Sequence, residues 1–136
     1  SPAVQASVEK RLNELCAAVA LGFGATARVH YERIYPATIN TPDEAQFAAD
    51  VAQSLLGRDH VDREMDPSMG AEDFSYVLEK SPGAMFFIGM APEGDDWASC
   101  CGIHSTRMML DESVLPRGAA FLAGLAENFL KSGFAG

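Results

Sequence analysis

The run Ala84-Met85-Phe86-Phe87-Ile88-Gly89 constrains this chain more than any other feature. Alternate side chains of a strand point to opposite faces, and here both faces are apolar, so a strand over these residues must be covered on two sides. Segments of helical period lie before and after it, and helices alternating with strands imply an α/β layered domain. The chain has 136 residues and 48% hydrophobic residues. That is long enough to bury a core and ordinary for a folded domain, which excludes collagen, a disordered chain and a disulfide scaffold. No run approaches the ~20 apolar residues of a membrane span. The net charge of −9 disfavours a nucleic-acid partner, because an acidic surface repels phosphate.

Charge also divides the chain. Residues 1–36 carry a net +1 and residues 37–136 a net −10, which suggests two units with different surroundings. In the first, Val4, Val8, Leu12, Leu15 and Val19 form one helical stripe that ends at Gly22 and Gly24. From Thr26 to Tyr35 the period becomes two: Ala27, Val29 and Tyr31 alternate with Arg28, His30 and Glu32, the pattern of a half-wet strand. One helix and one strand cannot bury both their apolar faces, so this unit must pack on something outside the chain or on a second copy. In the second unit, Thr41-Pro42-Asp43-Glu44 reads as an N-cap, a first-turn proline and a capping box. The helix it opens carries Phe47, Val51, Leu55 and Leu56 inward and ends at Gly57. Residues 59–67 are acidic and irregular, with Val61 at the centre of a short strand. Gly70-Ala71-Glu72-Asp73 starts a helix with Phe74, Val77 and Leu78 inward. Ala91 to Cys101 reads as a loop, and a last helix runs from about Glu112 to Lys131 with Leu115, Ala119, Leu122, Leu125, Ala126 and Phe129 inside.

Three cysteines, Cys16 and the adjacent Cys100 and Cys101, fit free thiols in a reducing, cytoplasmic setting. Among the histidines, His30 falls on the wet face of its strand and His60 in an acidic loop, so both read as solvated. His104 differs: it follows Gly102 in a loop beyond the doubly apolar strand, where α/β sheets build their sites. A lone histidine is more often structural, and Cys101-x-x-His104 lacks the second pair that a structural zinc site needs. Glu72 and Asp73 project about 100° apart on a helix. They serve the helix dipole as readily as a site. No nucleophile elbow, P-loop or dinucleotide fingerprint occurs.

Several segments taken in order carry a resemblance. They are Tyr35-Pro36-Ala37-Thr38-Ile39-Asn40, Met69-Gly70-Ala71-Glu72-Asp73-Phe74-Ser75, Met85-Phe86-Phe87-Ile88-Gly89, Ile103-His104-Ser105, and Asp111-Glu112-x-x-Leu115-Pro116-x-Gly118-Ala119-Ala120. The chain resembles the C-terminal part of metal-dependent amidohydrolases such as hippurate hydrolase, N-acyl-amino-acid amidohydrolases and auxin-conjugate hydrolases, within the aminoacylase and carboxypeptidase-like superfamily. The resemblance implies a zinc-peptidase-like catalytic domain with helices packed on a sheet, and an inserted α+β lid. Residues 1–36 would be the last helix and strand of the lid, and residues 37–136 the return to the catalytic domain. It further implies two divalent ions, zinc or manganese, an N-acyl amino acid substrate, and a homo-oligomer formed through the lid. His104 matches the family's final metal-binding histidine; Asn40 falls at the hinge, and Gly70, Glu72 and Asp73 match a segment lining the site. The family's other ligands and its catalytic glutamate have no counterpart in this chain, which alone should be inactive. That agrees with a chain that begins Ser1-Pro2, either processed or part of something longer. Arg107-Met108-Met109-Leu110 stands where relatives usually show Tyr-Asp-Phe-Asn, a departure that bears on substrate fit.

Two other readings stand beside this one. A non-catalytic α/β module could dimerise through residues 2–35, whose strand has an open edge. A peptidase of the same superfamily acting on dipeptides would share every segment named above.

Overall fold

The computed structural model describes residues 1–91 and 101–134. Among these residues are four α-helices: α1 (Pro2–Gly22), α2 (Pro42–Leu56), α3 (Phe74–Leu78) and α4 (Leu115–Ser132), with 3-10 turns at Arg58–His60 and Glu112–Val114. Two compact units are formed, one from residues 1–39 and 68–82, the other from residues 40–67 and 83–136.

In the first unit α1 is built by local rules. The Ser1 hydroxyl accepts from the Val4 N–H at 3.4 Å, Pro2 occupies the first turn, and Gly24 at φ +67° closes the far end. Glu14 pairs with Lys10 at 3.9 Å and Arg11 at 3.4 Å. None of the helix's residues is buried, and the stripe read from its period lies in solvent, with Val4 61% and Leu15 62% exposed. Residues 33–35 are held to the helices of this unit: Arg33 pairs with Glu9, and the Tyr76 hydroxyl donates to the Ile34 carbonyl. The Tyr76 ring lies 5.9 Å from that of Tyr35. On α3 the buried residue is Ser75, not the expected Val77, which is exposed. The Ser75 hydroxyl donates to the Glu72 carbonyl at 2.5 Å and so takes its polar group inside already satisfied.

In the second unit α2 and α4 pack against each other around Ala48, Val51 and Phe121, with Phe47, Ala52 and Leu125 flanking them. Gly124 permits the approach: a Cβ there would stand 3.0 Å from Leu55 Cδ1 and 3.3 Å from Val51 Cγ1. Phe86 meets Phe121 edge to face at 5.5 Å, and Phe47, Phe129 and Phe134 form a second aromatic cluster.

Several expectations are corrected. Among the described residues no strand forms at residues 26–35, at Val61 or at residues 84–89, so the helices-on-sheet layering is not seen. A strand exists through a neighbour about 4.8 Å away that takes up its N–H and C=O groups, and these segments do not supply one another with that neighbour. Phe87 and Ile88 are accordingly exposed rather than covered on both sides. The inner face of α4 centres on Phe121, Gly124 and Leu125, while Leu115, Leu122 and Phe129 are exposed. The helix is apolar around more than one face, and the glycine decides which one its neighbour can approach. Thr41 does not close a capping box, since its hydroxyl accepts from the Gly83 N–H at 3.0 Å. Glu44 is left with one carboxylate oxygen buried and, among the described residues, without a partner. Cys16 is a free thiol as expected, but Cys101 is disulfide-bonded. Pairing depends on the separation of two Cα atoms in space, which cysteine spacing does not report. Cys100, Asp95, Asp96 and most of the loop read from Ala91 to Cys101 lie outside the described residues.

Candidate functional site

His104 sits at the tip of a closed loop. The Ser105 N–H donates to the Gly102 carbonyl at 3.1 Å, which makes Ile103 and His104 the central pair of a tight turn. His104 has φ +70°, while the other positive φ values among the described residues belong to glycines. A positive φ at the second central position is what type II and type I′ turns require, and glycine or asparagine usually provides it. A second turn follows directly, with the Met108 N–H donating to the Ser105 carbonyl at 3.1 Å, and the Met109 N–H reaches the Cys101 carbonyl at 3.3 Å to close the loop's base. The His104 side chain is exposed, and among the described residues it makes no hydrogen bond. Asp111, just beyond the loop, does not orient it: hydrogen bonds from the Ser113 side chain and then from the Ser113 N–H, the latter at 2.9 Å, hold its carboxyl below its ordinary value.

Asn40 belongs to the same unit and has a defined structural task. Its carboxamide donates to the Met85 carbonyl at 3.0 Å and accepts from the Met85 N–H at 2.9 Å. Next to it the Thr41 N–H donates to the Gly83 carbonyl at 2.9 Å. Residues 40–41 therefore do for residues 83–85 what a neighbouring strand would, satisfying backbone groups in the segment of strong strand pattern.

Gly70, Glu72 and Asp73 fall in the other compact unit. Glu72 is half-buried and its carboxylate accepts from the Phe74 N–H at 3.2 Å, so it covers a free donor at the start of α3. Asp73 is the N-cap residue, exposed, and its side chain makes no capping bond. Gly70 donates its N–H to the Ser68 hydroxyl, and a Cβ on it would meet only ordinary contact at 3.5 Å, so nothing local requires a glycine.

No three His, Cys, Asp or Glu side chains converge into a metal-holding group among the described residues. His104 has the chemistry of one ligand, an exposed imidazole with its ring nitrogens unengaged, and one imidazole does not make a site. A shallow cleft of about 400 Å³ lies elsewhere in the second unit, between the C-terminal end of α2 and the start of α4. It is lined by Leu55, Leu56, His60, Pro116, Arg117 and Ala120, and by none of Asn40, Gly70, Glu72, Asp73 or His104. Among the described residues no helix is long and apolar enough to cross a membrane.

Residues 3–128 match the sequence pattern of peptidase family M20/M25/M40. The chain belongs to this family. Among curated relatives, thermostable carboxypeptidase 1 of Saccharolobus solfataricus is 37% identical over 108 residues, covering 79% of this chain and 26% of the relative. IAA-amino acid hydrolase ILR1-like 2 of Arabidopsis thaliana is 40% identical over 96 residues, 71% of this chain and 21% of that protein. Hippurate hydrolase of Campylobacter jejuni is 25% identical over 123 residues, 90% of this chain and 30% of the relative. The chain thus spans between a fifth and a third of the length of these M20/M25/M40 relatives. No solved structure matches it. The amidohydrolase resemblance carried by the segments from Tyr35 to Ala120 is borne out at the level of the family.

Proposed function

We propose that this chain is the C-terminal part of a metal-dependent hydrolase that cleaves the amide bond of N-acyl amino acids. Membership of peptidase family M20/M25/M40 supports amide-bond hydrolysis, and relatives named IAA-amino acid hydrolase and hippurate hydrolase support the acyl-amino-acid class, while the one named carboxypeptidase supports the peptidase reading. The observation that carries the site is the conformation of His104, an exposed imidazole held at φ +70°; the resemblance matches it to the family's final metal-binding histidine. Non-glycine residues persist in such conformations where the surroundings over-determine them, and these positions cluster at functional sites. Residues 1–36 are assigned to the lid and 37–136 to the catalytic domain, with zinc-peptidase-like layering completed by chain outside these residues. When bound, a pair of divalent ions, zinc or manganese, would activate a water and polarise the scissile carbonyl. His104 would supply one neutral nitrogen ligand to them. Asn40 holds residues 83–85 in place, and Glu72 and Asp73 are assigned to the site's lining. The exposed stripe of α1 supports a homo-oligomer through the lid, and we place the enzyme in the cytoplasm.

The same stripe favours the second reading, a non-catalytic module that dimerises. The two separate in one experiment on the complete gene product, measuring bound metal and the hydrolysis of hippurate and of an unblocked dipeptide, with His104→Ala alongside. Hippurate turnover that depends on bound metal and is lost with His104 is the expected result. Turnover of the dipeptide alone moves the enzyme to the peptidase class. A metal-free product indifferent to His104→Ala overturns the hydrolase and leaves the module.

A further inference from the structure

We infer that Ser105 is the positioning residue of His104; this rests on the reading of His104 as a metal ligand. An imidazole-bearing residue at φ +70° does not hold itself there, because its Cβ crowds the backbone in the left-handed region. Something on the loop must fix the conformation, and apart from the Met109–Cys101 bond at its base the loop's hydrogen bonds meet at one residue. Ser105 donates its N–H to the Gly102 carbonyl at 3.1 Å, which closes the turn containing His104. Its carbonyl accepts from the Met108 N–H at 3.1 Å, which opens the next turn. Its hydroxyl accepts from the Arg107 N–H at 3.1 Å, which braces that second turn from inside. Ser105 is half-buried while His104 and Ile103 before it are exposed, so the pivot lies under the loop and the imidazole outside it.

The two backbone bonds survive any substitution except proline. The hydroxyl bond is the part that depends on the side chain: without it the Arg107 N–H loses its acceptor and the second turn keeps only the Met108 bond. A looser second turn lets the Ser105 N–H drift from Gly102, and the His104 backbone then samples the commoner negative φ region. The side chain would not leave the loop, but it would spend less time in its ligating direction. Groups that orient a metal-binding histidine from behind usually act on its ring. Here the orientation is imposed through the backbone of the next residue.

The test uses the complete, zinc-loaded gene product with Ser105→Ala, Ser105→Thr and His104→Ala. Zinc affinity is read by competition with a chromogenic chelator, and the intraresidue amide-to-Hα NOE cross-peak of His104 by NMR. Removing a group that orients a metal ligand typically costs 10–100-fold in affinity, so Ser105→Ala should weaken zinc binding about tenfold, and Ser105→Thr, which keeps the hydroxyl, should stay within about twofold of the parent. The cross-peak, strong where φ is positive because the two protons lie close together, should weaken in the alanine variant alone. If Ser105→Ala binds zinc like the parent while His104→Ala does not, the positioning role is overturned and the ligand reading survives. If the threonine variant is as weak as the alanine variant, the hydroxyl is not the cause, and the inference fails. If His104→Ala itself leaves zinc affinity unchanged, both readings fall together.

Discussion

The longest helix of the chain and its best-packed pair of helices are stabilised by different physics. Helix α1 has a side-chain N-cap, a first-turn proline, ion pairs one turn apart and a terminal glycine, yet none of its residues is buried. Helices α2 and α4 lack side-chain N-cap bonds, and α4 carries two glycines within its span, yet between them they bury Ala48, Val51 and Phe121. Caps and exposed ion pairs contribute roughly a few tenths to about 1 kcal/mol each, whereas burying one large side chain contributes about 1.5–3 kcal/mol. Local signals suffice to define where α1 starts and stops; only burial holds α2 to α4.

Substitution in the two regions should break or sharpen that contrast. The largest effect belongs to Phe121→Ala, which empties the centre of the α2–α4 contact and removes the edge of Phe86's aromatic pair. A loss of about 3–5 kcal/mol in urea unfolding is expected. Leu12→Ala, on the least exposed position of the α1 stripe at 39%, should cost less than about 1 kcal/mol in the same measurement. Equal losses would mean that α1 is packed against a partner in solution, and the contrast would fail.

Asn40→Ala comes next. It leaves both the Met85 N–H and the Met85 carbonyl without their partner, in a half-buried place, for a cost of about 1–3 kcal/mol. Asn40→Asp keeps the acceptor for the Met85 N–H and loses the donor, so its unfolding curve should fall between the alanine variant and the parent.

His104→Gly should act in the opposite direction. Glycine adopts φ near +70° without steric cost, so the variant should gain a few tenths to about 1 kcal/mol of stability while losing the imidazole. A destabilised glycine variant would show that the histidine side chain contributes to the fold.

The smallest effect is electrostatic. Hydrogen bonds from Arg63, then from Gln46, hold the Asp50 carboxyl below its ordinary value of 3.8. A depressed folded pKa means that the unfolded chain takes up the proton first as pH falls. The stabilisation is therefore present above pH 3.8 and is lost as pH drops through the lower folded value. Asp50 is mostly exposed, so the contribution is small and screened by salt. Asp50→Asn should be slightly less stable than the parent at neutral pH and indistinguishable from it in strong acid; a gap that widens in acid would reverse the sign.

How much was legible in the sequence follows the same division. The starts and ends of α1 and α2, the solvated His30 and His60, and the placing of His104 in a loop all came from local signals: proline, glycine, polar caps and period. The family came from ordered short segments. What failed was everything that depends on a neighbour. Residues 84–89 have the composition of a covered strand but remain uncovered, and Asn40, read as a hinge or site residue, turned out to carry backbone hydrogen bonds for that very segment. Ser105 enters only within the segment Ile103-His104-Ser105, with no role of its own. A serine after a histidine gives no periodic or charge signal, and its three bonds exist only once the loop has closed.

The sequence by itself determined where helices can begin and end, which side chains are able to ligate or cap, and to which family the chain belongs. These properties reside in single residues or in residues a turn apart. Only the tertiary structure decided which face of α4 is inside, what satisfies the backbone of Met85, and that His104 stands at a left-handed turn. Each of those depends on atoms far apart in sequence, or on a loop closing upon itself, and is settled by hydrogen-bond satisfaction and close packing rather than by the preference of any one residue.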